Sequence, residues 1–308
     1  MKQDKLKKNL QSQAFRFFNA HYNGLGKNKT EETNKIRSHT TFYKHVECAA
    51  FAAEYLEVKR LKHITPELAQ KYLGLRRSDG ICQKTLDFER KMLERIIKIL
   101  SPDKSHHLIR ETELNRTTKP KSESNRAYTK EQALMIMSRQ TPYTQLSTEI
   151  AFNAGLRAFE LLTIQSTKNA SPASSRQWRL DLFKGLDGVP YIVKGKGGLV
   201  RTVLLSHELS QKLEDRRLEQ PRIVDDRYAK KVTQHYDLSG GEKFSKSFSK
   251  ASFKALGWSN GAHGARFSYA QDRMDTSISG VSYEDAKHIV SQELGHFRAD
   301  ITERYLAS

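Results

Sequence analysis

Cysteine is nearly absent. Only Cys48 and Cys82 occur, too few and too far apart for a zinc ligand set. Two ordinary thiols fit a reducing cytoplasm, which is the expected location. No apolar run approaches the length of a membrane span, and no membrane partner is expected. The N-terminus, MKQDKLKKNL, carries positive charge but no apolar segment behind it, which argues against a secretory signal. Internal repeats and long low-complexity tracts are also missing. Acidic residues are scarce too: 35 Asp and Glu stand against 53 Lys and Arg, a net charge of +18.

That excess points to a polyanion. Each phosphate neutralised by a cation releases condensed counterions, so binding gains free energy. The excess is uneven, with net +12 on residues 1–126 and +6 on residues 127–308. Nucleic acid is the expected partner, although composition alone does not separate DNA from RNA or from an anionic surface.

A chain of 308 residues has room for two domains, each with its own core. The first part reads as a bundle of about four helices. One is expected around Leu6 to Tyr22. A second is marked by Val46, Ala49, Ala50, Ala53 and Leu56 at helical spacing after Phe42. Thr65-Pro66 is a helix start, and Leu86, Leu93, Ile96, Ile97 and Leu100 trace another stripe that Ser101-Pro102 ends. RTTKPKSESNR (residues 116–126) has no apolar residue and reads as a linker between a domain at 1–115 and one at 127–308. Thr129 with Gln132 offers a capping box for the next helix, and a further helix is expected to end near Ala154. Strand character follows at Trp178 to Phe183, Val189 to Val193 and Leu199 to Leu205, the last two joined by a Gly-rich hairpin turn. Beyond Leu205 the pattern returns to helix. The expected fold is therefore mainly α with a small antiparallel β-sheet, an N-terminal helical bundle preceding a second, mixed domain.

Four short motifs carry the chemistry. They are AGLRAFEL (residues 154–161), GKG (195–197), HGAR (263–266) and the closing ELGHFRADITERYLAS (293–308). Together they supply Arg157, Lys196, His263, Arg266, His296 and Tyr305. Attack on a phosphodiester must stabilise extra negative charge on the nonbridging oxygens, and preorganised guanidinium groups do so with two hydrogen bonds each. Arg157 and Arg266 are the candidates. Glu160, one turn beyond Arg157, can also form a plain salt bridge with it. A nucleotide-binding P-loop is excluded at 195–197, because Gly197 follows the Lys where Ser or Thr is required.

These four motifs, in this order, resemble the catalytic domain of the tyrosine recombinase (phage integrase) family, and the helical bundle before them resembles that family's core-binding, SAM-like domain. The resemblance implies a site-specific recombinase that cleaves and rejoins double-stranded DNA through a 3′-phosphotyrosine, without metal, cofactor or ATP. Tyr305, nine residues after His296, is then the nucleophile. His263 assists removal of its proton, His296 donates to a nonbridging oxygen, and Glu160 orients Arg157. Lys196 protonates the departing 5′ oxygen as a general acid, with Lys194 as a substitute if the turn is shifted.

The resemblance further implies a C-shaped clamp on DNA and a homo-tetramer on paired sites, acting in integration, excision or inversion of a mobile element at the nucleoid, with accessory DNA-bending or directionality proteins as possible partners. Some features depart from the family pattern. HGARFSYA places Phe267 and Ser268 where a His-Thr pair is common, and the segment between Arg266 and His296 is long, which predicts an extra turn or loop there. Because three residues follow Tyr305, a docking tail is not expected, and protomer contacts are expected elsewhere. An arm-binding domain of the kind some members carry is likewise not expected. Two rival readings are a DNA-binding protein of this fold with weak catalysis and a type IB topoisomerase, which shares the tyrosine chemistry but relaxes DNA without site choice.

Overall fold

A computed structural model of the chain describes residues 2–25, 34–101, 107–112, 125–195, 197–227, 229–278 and 280–306. It divides into two compact units, Met1–Pro120 and Lys121–Ser308. Of the expected linker, residues 116–124 lie outside the described residues.

The first unit is built from α1 (Lys2–Tyr22), α2 (His39–Tyr55), α3 (Pro66–Ser78) and α4 (Gln83–Leu100), with a 3-10 turn at Leu61–His63. Thr65 caps α3 as expected, its hydroxyl accepting from the Leu68 amide, with Pro66 in the first turn. The stripe on α4 is buried at Leu86, Leu93, Ile96 and Ile97. Leu10, Phe18, Phe42, Ala49, Leu73 and Ile96 meet in one core. Apolar burial of this kind, not helix propensity, holds such short helices together.

In the second unit, α5 (Lys130–Met137) opens with the capping box: Thr129 Oγ1 accepts from the Gln132 amide, and Gln132 Oε1 accepts from the Thr129 amide. After α6 (Pro142–Asn153) comes a three-stranded antiparallel sheet of β1 (Gln165–Ser166), β2 (Val189–Lys194) and β3 (Val200–Leu205), in that order. Pairing of Val189 with Leu205 and of Lys194 with Val200 fixes the register. The chain continues through α7 (His207–Glu214), a hairpin of β4 (Arg217–Asp226) and β5 (Ala229–Tyr236), then α8 (Gly241–Leu256), α9 (Gly264–Asp272), α10 (Tyr283–Glu293) and α11 (Ala299–Leu306). The fold is mainly α with small antiparallel sheets, as expected. Among the described residues no helix is long and apolar enough to cross a membrane.

Two expectations fail. Trp178 to Phe183 is not a strand but an irregular loop. Phe183 has φ 62°, which an extended ladder excludes, and the amides of Arg179 and Phe183 donate to the side chains of Gln292 and Glu293 instead of to a neighbouring strand. The β4–β5 hairpin interrupts what reads as continuous helix after Leu205. Its outer strand is largely exposed, carries Pro221 and shifts register between Arg217 and Arg222, so it lacks the alternation that signals a strand. The long segment after Arg266 does contain an extra turn, a π-helical stretch at Arg273–Ser277 that prolongs α9.

Candidate active site

The end of α6 sets the first arginine. Ala154 closes the helix and Gly155 turns the chain at φ +58°. A Cβ there would lie 2.7 Å from the Tyr269 ring and 2.8 Å from Leu294 Cδ2, so both the backbone angle and the close packing require glycine. The turn delivers Arg157 to Glu160: its amide donates to Oε2 and its Nη1 to Oε1, each at 2.8 Å. Glu160 is buried, and Oε2 also accepts from Arg201 Nη2 at 2.8 Å, with Arg266 Nη1 3.7 Å away. Burial alone would raise its pKa; Arg201, Arg266 and Arg157 outweigh that and hold the carboxyl at about 2.

Arg266, on α9, is fully buried. Its Nη1 donates to the Gly155 carbonyl at 2.5 Å and its Nη2 to the Leu294 carbonyl at 2.7 Å. Burial, followed by the neighbouring Arg157, lowers its pKa to about 10, which leaves it charged at neutral pH. The same guanidinium therefore ties the α6 turn to the end of α10.

The motif Leu294-Gly295-His296 is a helix stop. Leu294 caps α10, and Gly295 takes the left-handed conformation at φ +74°. The amides of Gly295 and His296 then donate back to Gln292 and Ser291, a Schellman arrangement that swings His296 off the helix axis. His296 Nε2 comes to rest 3.3 Å from Arg157 Nη2, 3.4 Å from Arg266 Nη2 and 3.4 Å from the Tyr305 hydroxyl. Guanidinium nitrogens only donate, so Nε2 acts here as an acceptor and the imidazole is neutral with its hydrogen on Nδ1.

Tyr305 is buried on α11, and its hydroxyl lies 3.4 Å from Nε2 of His263, the residue before α9. The carbonyl of Tyr305 accepts from Gln271 Nε2 at 3.0 Å, and Lys287 Nζ reaches Glu303 Oε1 at 2.9 Å, so α11 is pinned to both α9 and α10. The Arg266 guanidinium sits 5.8 Å from the centre of the Tyr305 ring. Burial, then Arg266 and Arg157, depresses His296 to about 3. His263 is exposed at the surface, yet the protein packed behind its ring, followed by Arg266, Arg126 and Arg157, lowers it to about 4. Both rings are uncharged at neutral pH and can accept a proton.

Five of the six candidate residues, Arg157, His263, Arg266, His296 and Tyr305, are thus brought together from three of the four motifs. Lys196 lies outside the described residues, and Lys194 is exposed at the end of β2. Two buried supports go unsignalled in the sequence. Arg201 reads there as one residue among the alternating positions of a strand. Glu293 takes Arg273 on both carboxylate oxygens, at 2.6 and 2.9 Å, together with the Tyr269 hydroxyl at 2.9 Å. Arg201 stands in none of the four motifs, and Glu293, although it opens the last one, gives no sign there of Arg273, twenty residues upstream.

No family model matches this chain, and no curated protein matches it in sequence. Solved structures do match in three dimensions. The chain is similar to the XerH site-specific recombinase bound to difH substrate, at 16% identity over 97% of this chain and 92% of that one, with a TM-score of 0.53. A lambda integrase dimer bound to a COC′ core site matches at 16% identity over 89% of this chain and 90% of that one, TM-score 0.52. The Tn1549 transposon integrase in complex with transposon right end DNA matches at 14% identity over 97% and 95%, TM-score 0.51. The chain has the fold of tyrosine recombinases.

Proposed function

We propose that this chain is a site-specific tyrosine recombinase that cleaves and rejoins duplex DNA through a covalent bond to Tyr305. The observation that carries the reading is the meeting of one phenol, two imidazoles and two guanidinium groups, with the Tyr305 hydroxyl 3.4 Å from both His263 Nε2 and His296 Nε2. The three structural relatives named above are recombinases or integrases captured with their DNA, which supports double-stranded DNA as the partner here.

In the proposed reaction the Tyr305 oxygen bonds to phosphorus as the bond to the 5′ oxygen breaks. His263 accepts the phenol proton, and Lys196 supplies a proton to the leaving oxygen. Arg157 and Arg266 stabilise the charge that grows on the nonbridging oxygens. A phosphate placed against these cations offsets their field on both imidazoles and raises their proton affinity, so substrate itself makes His263 a better base. Once the guanidinium donors engage the phosphate, His296 Nε2 is released to carry a hydrogen and donate to a nonbridging oxygen. A 5′ hydroxyl from a partner strand then attacks the phosphotyrosine and reseals the DNA, the bond energy having been kept in the ester. Strand exchange of this kind takes a tetramer on two sites, in integration, excision or inversion of a mobile element.

The test uses the tightest-binding duplex selected by the full chain from a randomised pool, nicked beside the cleavage position so that resealing fails. The wild type is expected to form a denaturant-stable protein–DNA adduct that Tyr305→Phe does not form. Equal trapping by Tyr305→Phe, or no adduct with either protein, overturns the assignment. Relaxation of plasmids that lack any selected site would indicate topoisomerase-like activity in its place.

A further inference from the structure

We propose that Arg201 is a positioning residue that sets the spacing between Arg157 and His296, its two terminal nitrogens bridging the Glu160 carboxylate and the end of α10. The inference rests on the recombinase reading above. Arg201 stands on the inward face of β3, in line with Val203 and Leu205, and is 1% exposed. An apolar residue fits that row without any cost of desolvating charge, and a buried ion pair is a weak source of stability. A guanidinium there calls for a reason beyond packing.

Its contacts supply one. Nη2 donates to Glu160 Oε2 at 2.8 Å, while Nη1 donates to the Glu293 carbonyl at 2.5 Å. Glu160 in turn holds Arg157 by its amide and by Nη1, and Glu293 lies three residues before His296. The stem of Arg201 also packs under the helix stop, where a Cβ on Gly295 would lie 3.0 Å from Arg201 Cδ. One rigid planar fork thereby spans the two segments whose side chains meet at 3.3 Å, Arg157 Nη2 to His296 Nε2. Arg266 also lies 3.4 Å from His296 Nε2 and faces the Tyr305 ring, whereas the terminal nitrogens of Arg201 are taken by Glu160 and the Glu293 carbonyl, so Arg201 acts through the residues it holds. Displacing a reacting group by about 1 Å costs on the order of 100-fold in rate. Lysine keeps the charge but not the fork: one ammonium on a flexible stem does not hold the carboxylate and the carbonyl in a fixed plane.

The test compares wild type, Arg201→Lys and Arg201→Met as full chains on the selected nicked duplex described above. Three quantities are read: DNA Kd, the single-turnover rate of adduct formation, and the fraction folded by circular dichroism. Arg201→Lys is expected to stay folded and to bind DNA within about threefold of wild type, yet to form the adduct about 10- to 100-fold more slowly. Arg201→Met is expected to be at least as slow; if it does not fold, Arg201→Lys decides alone. An adduct rate for Arg201→Lys within about twofold of wild type overturns the inference and leaves the recombinase reading intact. A rate loss matched by an equal loss of DNA binding or of folded protein makes Arg201 a structural residue and also overturns it. A wild type that forms no adduct removes the recombinase reading and this inference together.

Discussion

The ring of Phe267 packs against that of Tyr305, with centroids 4.6 Å apart and planes inclined by 53°. Phe267 stands where the resembled family commonly has a histidine, so an apolar edge replaces a polar one beside the proposed nucleophile. Tilted aromatic contacts of this kind contribute about 0.5–1.5 kcal/mol beyond their buried area. Phe267→Ala is expected to loosen Tyr305 and slow adduct formation about tenfold, with DNA affinity unchanged. Single-turnover trapping on a nicked duplex reads this directly. A wild-type rate in Phe267→Ala would show that α11 is held by its other contacts.

Gly155→Ala meets two penalties at once. A side chain at φ +58° costs roughly 1–2 kcal/mol, and a Cβ 2.7 Å from the Tyr269 ring forces a shift costing about 1–3 kcal/mol more. Because the Gly155 carbonyl accepts from Arg266, the same shift disturbs the second guanidinium. Urea unfolding is expected to show a loss of about 2–5 kcal/mol. A loss below about 1 kcal/mol would mean that the α6 turn tolerates a side chain.

Arg273 and Glu293 form a buried pair, 1% exposed on each side. Arg273→Met leaves the carboxylate without its main partner and is expected to destabilise by about 3–5 kcal/mol. Arg273→Met combined with Glu293→Gln removes both charges and is expected to recover part of that loss, since the amide oxygen still accepts from the Phe183 amide while its NH2 donates to a reoriented Tyr269 hydroxyl. Denaturant midpoints for the two single variants and the pair make the comparison. Strict additivity would argue against the coupling.

The titrations all act in one direction. His263 and His296 have folded pKa values of about 4 and about 3, against 6.5 in an unfolded chain. Below pH 6.5 the unfolded state therefore binds protons that the folded state refuses, and stability falls as the pH drops toward 4. Glu160, held at about 2 against 4.5, adds stability that is present above pH 4.5 and lost as the pH falls toward 2. The urea midpoint is expected to decline from pH 7 to pH 4.5, and His263→Gln is expected to reduce the slope of that decline. A pH-independent midpoint over this range would contradict the depressed imidazoles.

Much of the outline was legible along the chain. Thr65-Pro66 and the Thr129–Gln132 pair name helix starts because capping is local chemistry, satisfied within four residues. The helix stop at Leu294-Gly295-His296 emerged only in the structure, where Gly295 turns at φ +74°. The β4–β5 hairpin was not legible: its outer strand faces solvent and needs no alternation. The supposed strand at Trp178 to Phe183 failed for the complementary reason, that its amides are taken by Gln292 and Glu293, more than a hundred residues away.

By itself the sequence determined which reactive side chains are present, their order, the helices that carry them and the excess of positive charge. Tertiary structure alone decided that Glu160 also collects Arg201 and Arg266, that Glu293 is neutralised by Arg273, and that the two imidazoles stay uncharged beside Tyr305. The division has a physical cause. Caps, turns and periodicity are short-range properties of a backbone, whereas desolvation and the field of buried charges depend on which distant segments close around a group.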